Sequence, residues 1–121
     1  MKKLPPSPIE VLITIVNLNE TDNVLKILKE FGEINTLVVL GHGTAESEII
    51  DLFGFGVIER TITFTIIQTK NSSLLVEKIC NDLQFETEAR KGLVFTLPIN
   101  SIEKNFLNQL KNSWEKTDEQ K

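Results

Sequence analysis

The fold is decided by residues 9–33, IEVLITIVNLNETDNVLKILKEFGE, in which the hydrophobic period changes once. The first part, Ile9 to Asn17, is β-branched and apolar on both faces, which is typical of a central strand that is covered on each side. After Asn19 the apolar residues recur at helical spacing, and Gly32 is placed to end the helix. The helical stripe comprises Val24, Leu25, Leu28 and Phe31. We therefore expect a buried strand followed by an amphipathic helix, and the second face of that strand needs a partner.

Two further strands and a second helix follow. The segment NTLVVLG (35–41) predicts a short second strand. The segment RTITFTIIQT (60–69) predicts a third strand with one buried face, because its apolar residues alternate with threonines. The segment NSSLLVEKICNDLQF (71–85) predicts a second helix with Ser72 or Ser73 as its N-cap. The apolar stripe of this helix comprises Leu75, Val76, Ile79, Cys80 and Leu83.

A fourth strand and a third helix complete the pattern. The segment GLVFTLPI (92–99) predicts the strand, and Pro98 near its end indicates an edge position. The segment NSIEKNFLNQLKNSW (100–114) predicts the helix, with Asn100 and Glu103 at capping-box spacing. The order β-α-β-β-α-β is the split βαβ arrangement of ferredoxin-like domains. We therefore expect an α+β fold, a ferredoxin-like βαββαβ sandwich with an additional C-terminal helix.

Composition limits both the number of domains and the class of partner. A chain of 121 residues, 40% of them hydrophobic, has enough apolar material for one core. We expect a single domain over 1–121, with an N-terminal extension at 1–8 and a charged tail at 115–121. Thirteen Lys and Arg against seventeen Asp and Glu leave a net charge of −4, and the basic residues are scattered. The chain therefore lacks the electrostatic signature of a nucleic-acid binder.

No segment predicts export, membrane insertion or catalysis. Prolines and Glu10 interrupt the apolar N-terminal segment, and no window approaches the roughly 18 consecutive apolar residues of a membrane span. The single cysteine, Cys80, permits no internal disulfide and fits a reduced, cytoplasmic setting. Because Cys80 lies in an apolar stripe and His42 is the only histidine, no nucleophile with a supporting base can be assembled. We expect a protein that is not an enzyme.

The connection from Gly41 to about Glu59 is long for a fold whose hairpin loops usually have about two to five residues. It begins GHGTAESEIIDLFGFG and contains His42 close to Glu46 and Glu48. A glycine-rich loop can cradle phosphate with its backbone N–H groups. His42 with Glu46 or Glu48 can alternatively hold a divalent metal ion. Both interpretations stay open at this point.

A plain turn is the third interpretation of the same segment. Tight turns often need a positive φ, which glycine adopts without strain, so Gly41 and Gly43 need no ligand to account for them. Residues 44–54 also fit a short amphipathic helix that Thr44 caps. Under this interpretation the segment has no ligand at all.

Three segments, in this order and spacing, resemble the PII family of nitrogen-regulatory signalling proteins. They are IEVLITIVN (9–17) at the start of the sheet, LGHG (40–43) at the end of the second strand, and KGLVFTLPI (91–99) after the second helix. The resemblance spans about residues 9–100. It implies three subunits whose sheets pack around a three-fold axis, with adenine nucleotide, ATP or ADP, bound as a ligand in the clefts between neighbours.

The resemblance also implies which residues contact the ligand and the partner. The predicted ligand-binding residues are Gly41, His42, Gly43, Thr44, Arg90, Lys91 and Gly92. The long loop is expected to contact a target protein, and its predicted contact residues are Glu46, Glu48, Phe53 and Phe55.

The sequence departs from the best-known members of that family at three points. Thr44 stands where they carry a basic residue, Gly92 stands alone in the second glycine loop, and Leu93 stands where they carry a lysine. We therefore expect weak nucleotide binding, or a ligand with fewer phosphates. Two alternatives to a trimeric ligand sensor stay open: a trimer that responds to divalent metal through His42, and an interaction module that has no ligand.

Overall fold

The computed structural model describes residues 9–41, 59–85 and 92–119. The strands are β1 (Ile9–Asn17), β2 (Thr36–Gly41), β3 (Arg60–Gln68) and β4 (Gly92–Pro98). The helices are α1 (Thr21–Glu30), α2 (Ser72–Asp82) and α3 (Lys104–Glu119), and short 3-10 turns at Leu18–Glu20 and Thr69–Asn71 lead into α1 and α2. The four strands form one antiparallel sheet in the order β2-β3-β1-β4. The predicted ferredoxin-like βαββαβ fold with an additional C-terminal helix is confirmed.

Helices α1 and α2 cover one face of the sheet and form the main core with it. The buried residues of this core are Leu12, Val16, Val24, Ile27, Leu28, Ile67, Leu75, Ile79 and Leu83. Burying one aliphatic side chain of this kind stabilises the folded state by about 1.5–3 kcal/mol relative to leaving it exposed. Gly32 ends the α1 region as predicted. Its φ of 73° lets its own N–H reach the carbonyl of Lys29 and lets the next N–H, of Glu33, reach Leu28.

The buried face of β3 is the threonine face. Thr61, Thr63 and Thr65 are at most 2% exposed beneath the helices, whereas Ile62 and Phe64 lie on the opposite face and are partly or well exposed. The helices cover this face because it is continuous with Leu12 and Val16 of β1 in the sheet register. Strand alternation alone therefore predicts one buried face but not which face it is.

Both predicted helix caps are wrong. Asn71 precedes α2 without a side-chain cap bond, and the Ser72 hydroxyl donates instead to Glu10 Oε1 at 3.4 Å. Helix α3 begins at Lys104, and the carboxylate of Glu103 accepts the first backbone N–H groups, at 2.8–2.9 Å. Glu103 is thus the cap rather than the partner of Asn100. Helix α3 continues to Glu119. Among the described helices, none combines the length and the apolar character that a membrane span requires.

The second face of the sheet is also apolar, and the described helices cover only one end of it. Helix α3 packs there, burying Leu110 and Trp114 against Ile9. The remainder, which we call the open face, comprises Leu37, Val39, Ile62, Phe64, Phe95 and Leu97. Leu37 is 63% exposed and Leu97 is 47% exposed. A contiguous apolar surface on a sheet is typical of an interaction site.

We predict opposite changes in stability when two threonines on β3 are each replaced by valine. The Thr63 hydroxyl is buried and, in the part of the chain that the structure describes, makes no hydrogen bond. The Thr61 hydroxyl lies 2.6 Å from that of Thr21, which gives its only proton to the carbonyl of Leu18 at 2.9 Å, so Thr61 donates.

We therefore expect Thr63→Val to raise the free energy of unfolding by about 1 kcal/mol or more, because a desolvated, unpaired hydroxyl costs about 1–3 kcal/mol. Thr61→Val should lower it by about 1 kcal/mol, since a hydrogen bond is lost. Urea unfolding at equal protein concentrations measures both. A loss of stability in Thr63→Val equal to that in Thr61→Val would contradict this explanation.

Candidate ligand site at one end of the sheet

Four strand ends meet at the same end of the sheet. β1 ends at Asn17, which lies opposite Arg60 at the start of β3. Arg60 lies in turn opposite Gly41, the last residue of β2. On the other side of β1, Gly92 at the start of β4 lies opposite Val16. Gly41 and Gly92, both predicted to bind phosphate, thus lie at a common end of the sheet.

These two glycines nevertheless lie on opposite edges of the sheet. β2 and β4 are the outer strands, and β3 and β1 lie between them. Three inter-strand spacings of about 4.8 Å place the backbones of Gly41 and Gly92 roughly 14 Å apart. That distance is too large for one phosphate group to contact both backbones. Within a single chain Gly41 and Gly92 are therefore not brought together.

Gly41 is not explained by a turn. It continues strand β2, and positive φ angles among the described residues occur only at Gly32 and Gln84. A Cβ atom at position 41 would lie 3.4 Å from the carbonyl oxygen of Arg60, which is ordinary van der Waals contact. For Gly41 the plain-turn interpretation, which requires a positive φ, is therefore wrong. Glycine at this position is not required by the packing of the described residues.

Gly92, in contrast, is required by packing. A Cβ atom at this position would lie 2.5 Å from the ring of Phe85 and 2.8 Å from the carbonyl oxygen of Ile15. The backbone carbonyl cannot move aside without disturbing the pairing of β1 with β4. Gly92 therefore has a structural role whether or not a ligand binds. Leu93, which follows it, lies opposite Ile15 in the sheet and is half-buried.

Arg60, which the sequence analysis did not name, adjoins the predicted ligand site. It is only 3% exposed, and burial lowers the pKa of its guanidinium. An arginine remains charged even so, because the guanidinium does not lose its proton in proteins. Its backbone pairs directly with that of Gly41, so Arg60 adjoins the residue at which the predicted phosphate loop begins. The one sequence signal for Arg60 was its position as a lone arginine at the start of a strand of threonine and isoleucine.

A cavity of about 580 Å³ opens at this end of the sheet. The described residues that line it are Asn17, Leu18, Asn19 and Glu59. The N–H of Leu18 donates to the carbonyl of Glu59 at 3.2 Å, which joins the end of β1 to the residue before β3. The Asn17 Oδ1 atom is buried and accepts no hydrogen bond within the described residues. The cavity volume lies in the range of small-molecule pockets.

The other predicted site residues lie outside the described residues. These are His42, Gly43, Thr44, Arg90 and Lys91 of the predicted ligand site. The loop residues Glu46, Glu48, Phe53 and Phe55 also lie outside, as does the amphipathic helix expected at 44–54.

Two other predicted features can be located only in part. No group of three or more metal-binding side chains occurs within 9–41, 59–85 and 92–119, so the hypothesis of a metal site at His42 stays a prediction. Cys80, in α2, is half-buried.

No family model matches the chain, and no curated protein does. Solved structures do. The PII protein of Arabidopsis thaliana bound to citrate has a TM-score of 0.60 at 16% identity, covering 84% of this chain and 85% of the other. CPII, a nitrogen-regulatory PII-like protein from Thiomonas intermedia K12, bound to ADP, AMP and bicarbonate, has a TM-score of 0.57 at 16% identity, with coverages of 78% and 93%.

CPII bound to ADP, AMP and acetate has a TM-score of 0.60 at 16% identity, with coverages of 83% and 94%. The chain therefore has the fold of the PII proteins, and the resemblance that the sequence indicates is confirmed at that level. At sequence identities this low, the similarity establishes the fold alone. The ligand of this chain has to be inferred from its own residues.

The two glycines provide a matched pair of substitutions. Gly92→Ala should lower the free energy of unfolding by about 1–3 kcal/mol, because the methyl group overlaps Phe85 and the Ile15 carbonyl. Gly41→Ala should change it by less than about 1 kcal/mol, since a Cβ fits there. Chemical denaturation followed by far-UV circular dichroism measures both variants. Equal destabilisation by the two substitutions would contradict the close packing around Gly92.

Proposed function

We propose that this protein is a PII-like regulatory protein that assembles as a homotrimer and binds an adenine nucleotide between neighbouring subunits. In this proposal the loop from Gly41 to Glu59 contacts a target protein. The observation that carries the proposal is the position of Gly41 and Gly92 at one end of the sheet but on opposite edges. One phosphate group that contacts both glycines must therefore take each from a different copy of the chain.

A closed ring of identical subunits meets this requirement. In a cyclic assembly each subunit presents one surface to one neighbour and a different surface to the other. The β2 edge of one subunit can then lie beside the β4 edge of the next. Gly41 and Arg60 would come from the first subunit, and Arg90, Lys91 and Gly92 from the second. A three-fold ring would contain three equivalent sites.

The open face supplies the driving force for this assembly. It presents aliphatic and aromatic side chains from β2, β3 and β4, and among the described helices α3 covers only the end near Ile9. Burial of apolar surface contributes about 25 cal/mol per Å², so a face of this kind favours contact with further copies over contact with water. The apolar second face of β1 is then accounted for by subunit contacts.

The cationic residues around the site favour an anionic ligand. Arg60 is desolvated beside Gly41, and Arg90 and Lys91 precede Gly92 in sequence. The structural neighbours hold anions of this class: citrate in one protein, and ADP and AMP in the other. Because Leu93 is apolar and packs in the sheet, it adds no charge to the site. We therefore favour ADP or AMP over ATP.

The regulatory role follows from the ligand and the loop together. A nucleotide bound next to Gly41 contacts the base of the loop, so its presence can change how the loop meets a target protein. We expect this sensor to act in the cytoplasm without catalysing a reaction. Nitrogen regulation is the setting that the fold relatives suggest for the target.

The trimer can be tested by a charge placed on the open face. Phe64 lies on β3 in that face and is 36% exposed, so Phe64→Glu should leave the monomer folded but abolish association, because a buried charge without a partner is costly. Sedimentation equilibrium at micromolar concentration should give three times the 13.7 kDa chain mass for the wild type and a single chain mass for the variant.

Leu74→Glu is the matched control. Leu74 is 56% exposed on α2, away from the open face, so this variant should remain a trimer. A stable wild-type monomer, or equal dissociation of the two variants, would contradict the proposed assembly.

Nucleotide binding can be tested by calorimetric titration of the intact oligomer with ADP, AMP and ATP. We expect Arg90→Ala combined with Lys91→Ala to weaken binding about ten- to a hundredfold, the effect of losing a charge-assisted hydrogen bond. Lys26→Ala combined with Lys29→Ala removes the same charge from α1 and should leave binding unchanged.

The absence of binding at millimolar nucleotide would overturn the proposed ligand. Titration with Mn²⁺ or Zn²⁺ in place of nucleotide tests the metal-responsive alternative, in which His42→Ala abolishes the signal. If the trimer forms but binds neither kind of ligand, the protein is an interaction module.

A further inference from the structure

A second cavity lies where the C-terminal helix meets the sheet, and we call it the α3 cavity. Its volume is about 290 Å³, and the described residues that line it are Ile9, Gln68, Thr69, Lys70, Lys111 and Trp114. They come from the start of β1, the end of β3, the turn before α2 and the middle of α3. The cavity therefore joins α3 to the strand ends beneath it.

The α3 cavity is separate from the candidate ligand site. Ile9 lies opposite Gln68 in the sheet register, whereas Asn17, which lines the first cavity, lies opposite Arg60. These two pairs stand at the two ends of β1, and at about 3.3 Å per residue they are about 26 Å apart. One nucleotide cannot fill both cavities, so an inference from the α3 cavity does not rest on the proposed nucleotide site.

The floor of the α3 cavity is apolar. Ile9 is 3% exposed and Trp114 is 6% exposed, and the two side chains pack together in the smaller core beneath α3. Most of the surface that faces the cavity is carbon. Such a floor favours the hydrocarbon part of a ligand over water.

The rim of the same cavity is cationic. Lys70 lies on the turn before α2 and Lys111 lies on α3, and both are exposed. Neither makes an ion pair within residues 9–41, 59–85 and 92–119. No aspartate or glutamate is among the described residues that line the cavity. The two ammonium groups are therefore available to an anion at the mouth of an apolar cavity.

Glu33 is a carboxyl that contacts one of the lining residues. Its Oε2 atom accepts the backbone N–H of Gln68 at 2.7 Å and the side-chain amide of Asn71 at 3.1 Å. The Glu33 side chain is 0% exposed and does not line the cavity. With Glu33 ionised, Lys70 and Lys111 still outweigh its charge, so the balance of these three groups favours an anionic ligand.

We propose that the α3 cavity binds a small apolar carboxylate. The hydrocarbon part would lie against Ile9 and Trp114, and the two carboxylate oxygens would accept hydrogen bonds from Lys70 and Lys111. An inorganic anion would leave the apolar floor in water, and a neutral hydrocarbon would leave both lysines without a partner. A volume of 290 Å³ equals that of roughly ten water molecules, which suits a ligand of about ten non-hydrogen atoms.

Such a ligand would hold α3 on the sheet. It would contact Lys111 and Trp114 on the helix, and Ile9 and Lys70 on the elements below. A ligand that binds only the docked arrangement stabilises that arrangement by mass action. Occupancy of the cavity would thus reduce the opening of α3.

The native fluorescence of the protein reports on this cavity directly. Trp114 is the only tryptophan, and the sequence contains no tyrosine. We would titrate the full-length wild type with octanoate and with phenylacetate, which present about ten non-hydrogen atoms as a chain and as a ring. A saturable change in Trp114 emission with either acid supports the proposal. The absence of a saturable change with both, up to about 10 mM, overturns it.

Two further titrants separate the charge from the hydrocarbon. Octan-1-ol carries the same chain without the carboxylate and should bind more weakly than octanoate. Inorganic phosphate carries charge without a hydrocarbon part and should leave the emission unchanged. Octan-1-ol that binds as tightly as octanoate, or a saturable response to phosphate, would contradict the proposed ligand class.

A pair of double variants tests the two lysines. Lys70→Gln combined with Lys111→Gln should weaken binding of the acid about two- to thirtyfold, the range expected for losing two exposed ion pairs. Lys26→Gln combined with Lys29→Gln removes the same charge from exposed positions on α1 and should leave affinity unchanged. Unaltered affinity in the first variant, or an equal loss in both, would rule out the lysine rim as the anion site.

Amide hydrogen exchange locates the bound acid in the wild type without any substitution. Saturating octanoate or phenylacetate, whichever binds, should slow exchange in α3 around Lys111 and Trp114 and at the end of β3 near Gln68. Protection confined to the other end of the sheet, near Asn17, would place the ligand elsewhere and overturn the proposal.

Discussion

The sheet of this protein is apolar on both faces, and its own helices can cover little more than one of them. α1 and α2 occupy the face of Leu12 and Val16, and α3 reaches only the end near Ile9. The remaining apolar surface is exposed, and a surface of this kind is typical of an interaction site. The proposed trimer, the position of the ligand site and the importance of α3 all depend on this imbalance.

The strand order then determines which segments lie close together within a single chain. Because β2 and β4 are the two edges, the segments after Gly41 and before Gly92 emerge at the same end but far apart. Under the proposal, one chain would hold two halves of a site and would complete neither alone. In the proposed assembly this arrangement would couple ligand binding to association, because the second half would arrive only with a second subunit. In that proposal the desolvated Arg60, paired with Gly41, would add a cation to one half.

Much of the fold could be predicted from local pattern, because period and glycine position are local properties. The bounds of β1 and the end of the first helical segment at Gly32 follow directly from the order of residues. Long-range features could not be predicted. The burial of the threonine face of β3, the enclosure of Glu33 and the desolvation of Arg60 depend on which elements pack together. Both helix caps were missed because the side chains of Ser72 and Glu103 have partners that spacing does not distinguish.

The central claim is that each site is shared between two subunits, and mixed oligomers test it most directly. One variant, Gly41→Val, disables the β2 half, and a second, Arg90→Ala with Lys91→Ala, disables the β4 half. ADP binding is measured for each variant alone and for a mixture unfolded and refolded together in equal amounts. Shared sites predict little binding by either variant and recovery of about one quarter of the wild-type sites in the mixture, because random assembly pairs two intact halves at that frequency. A mixture that binds no better than its two components, while the wild type binds, would contradict the account.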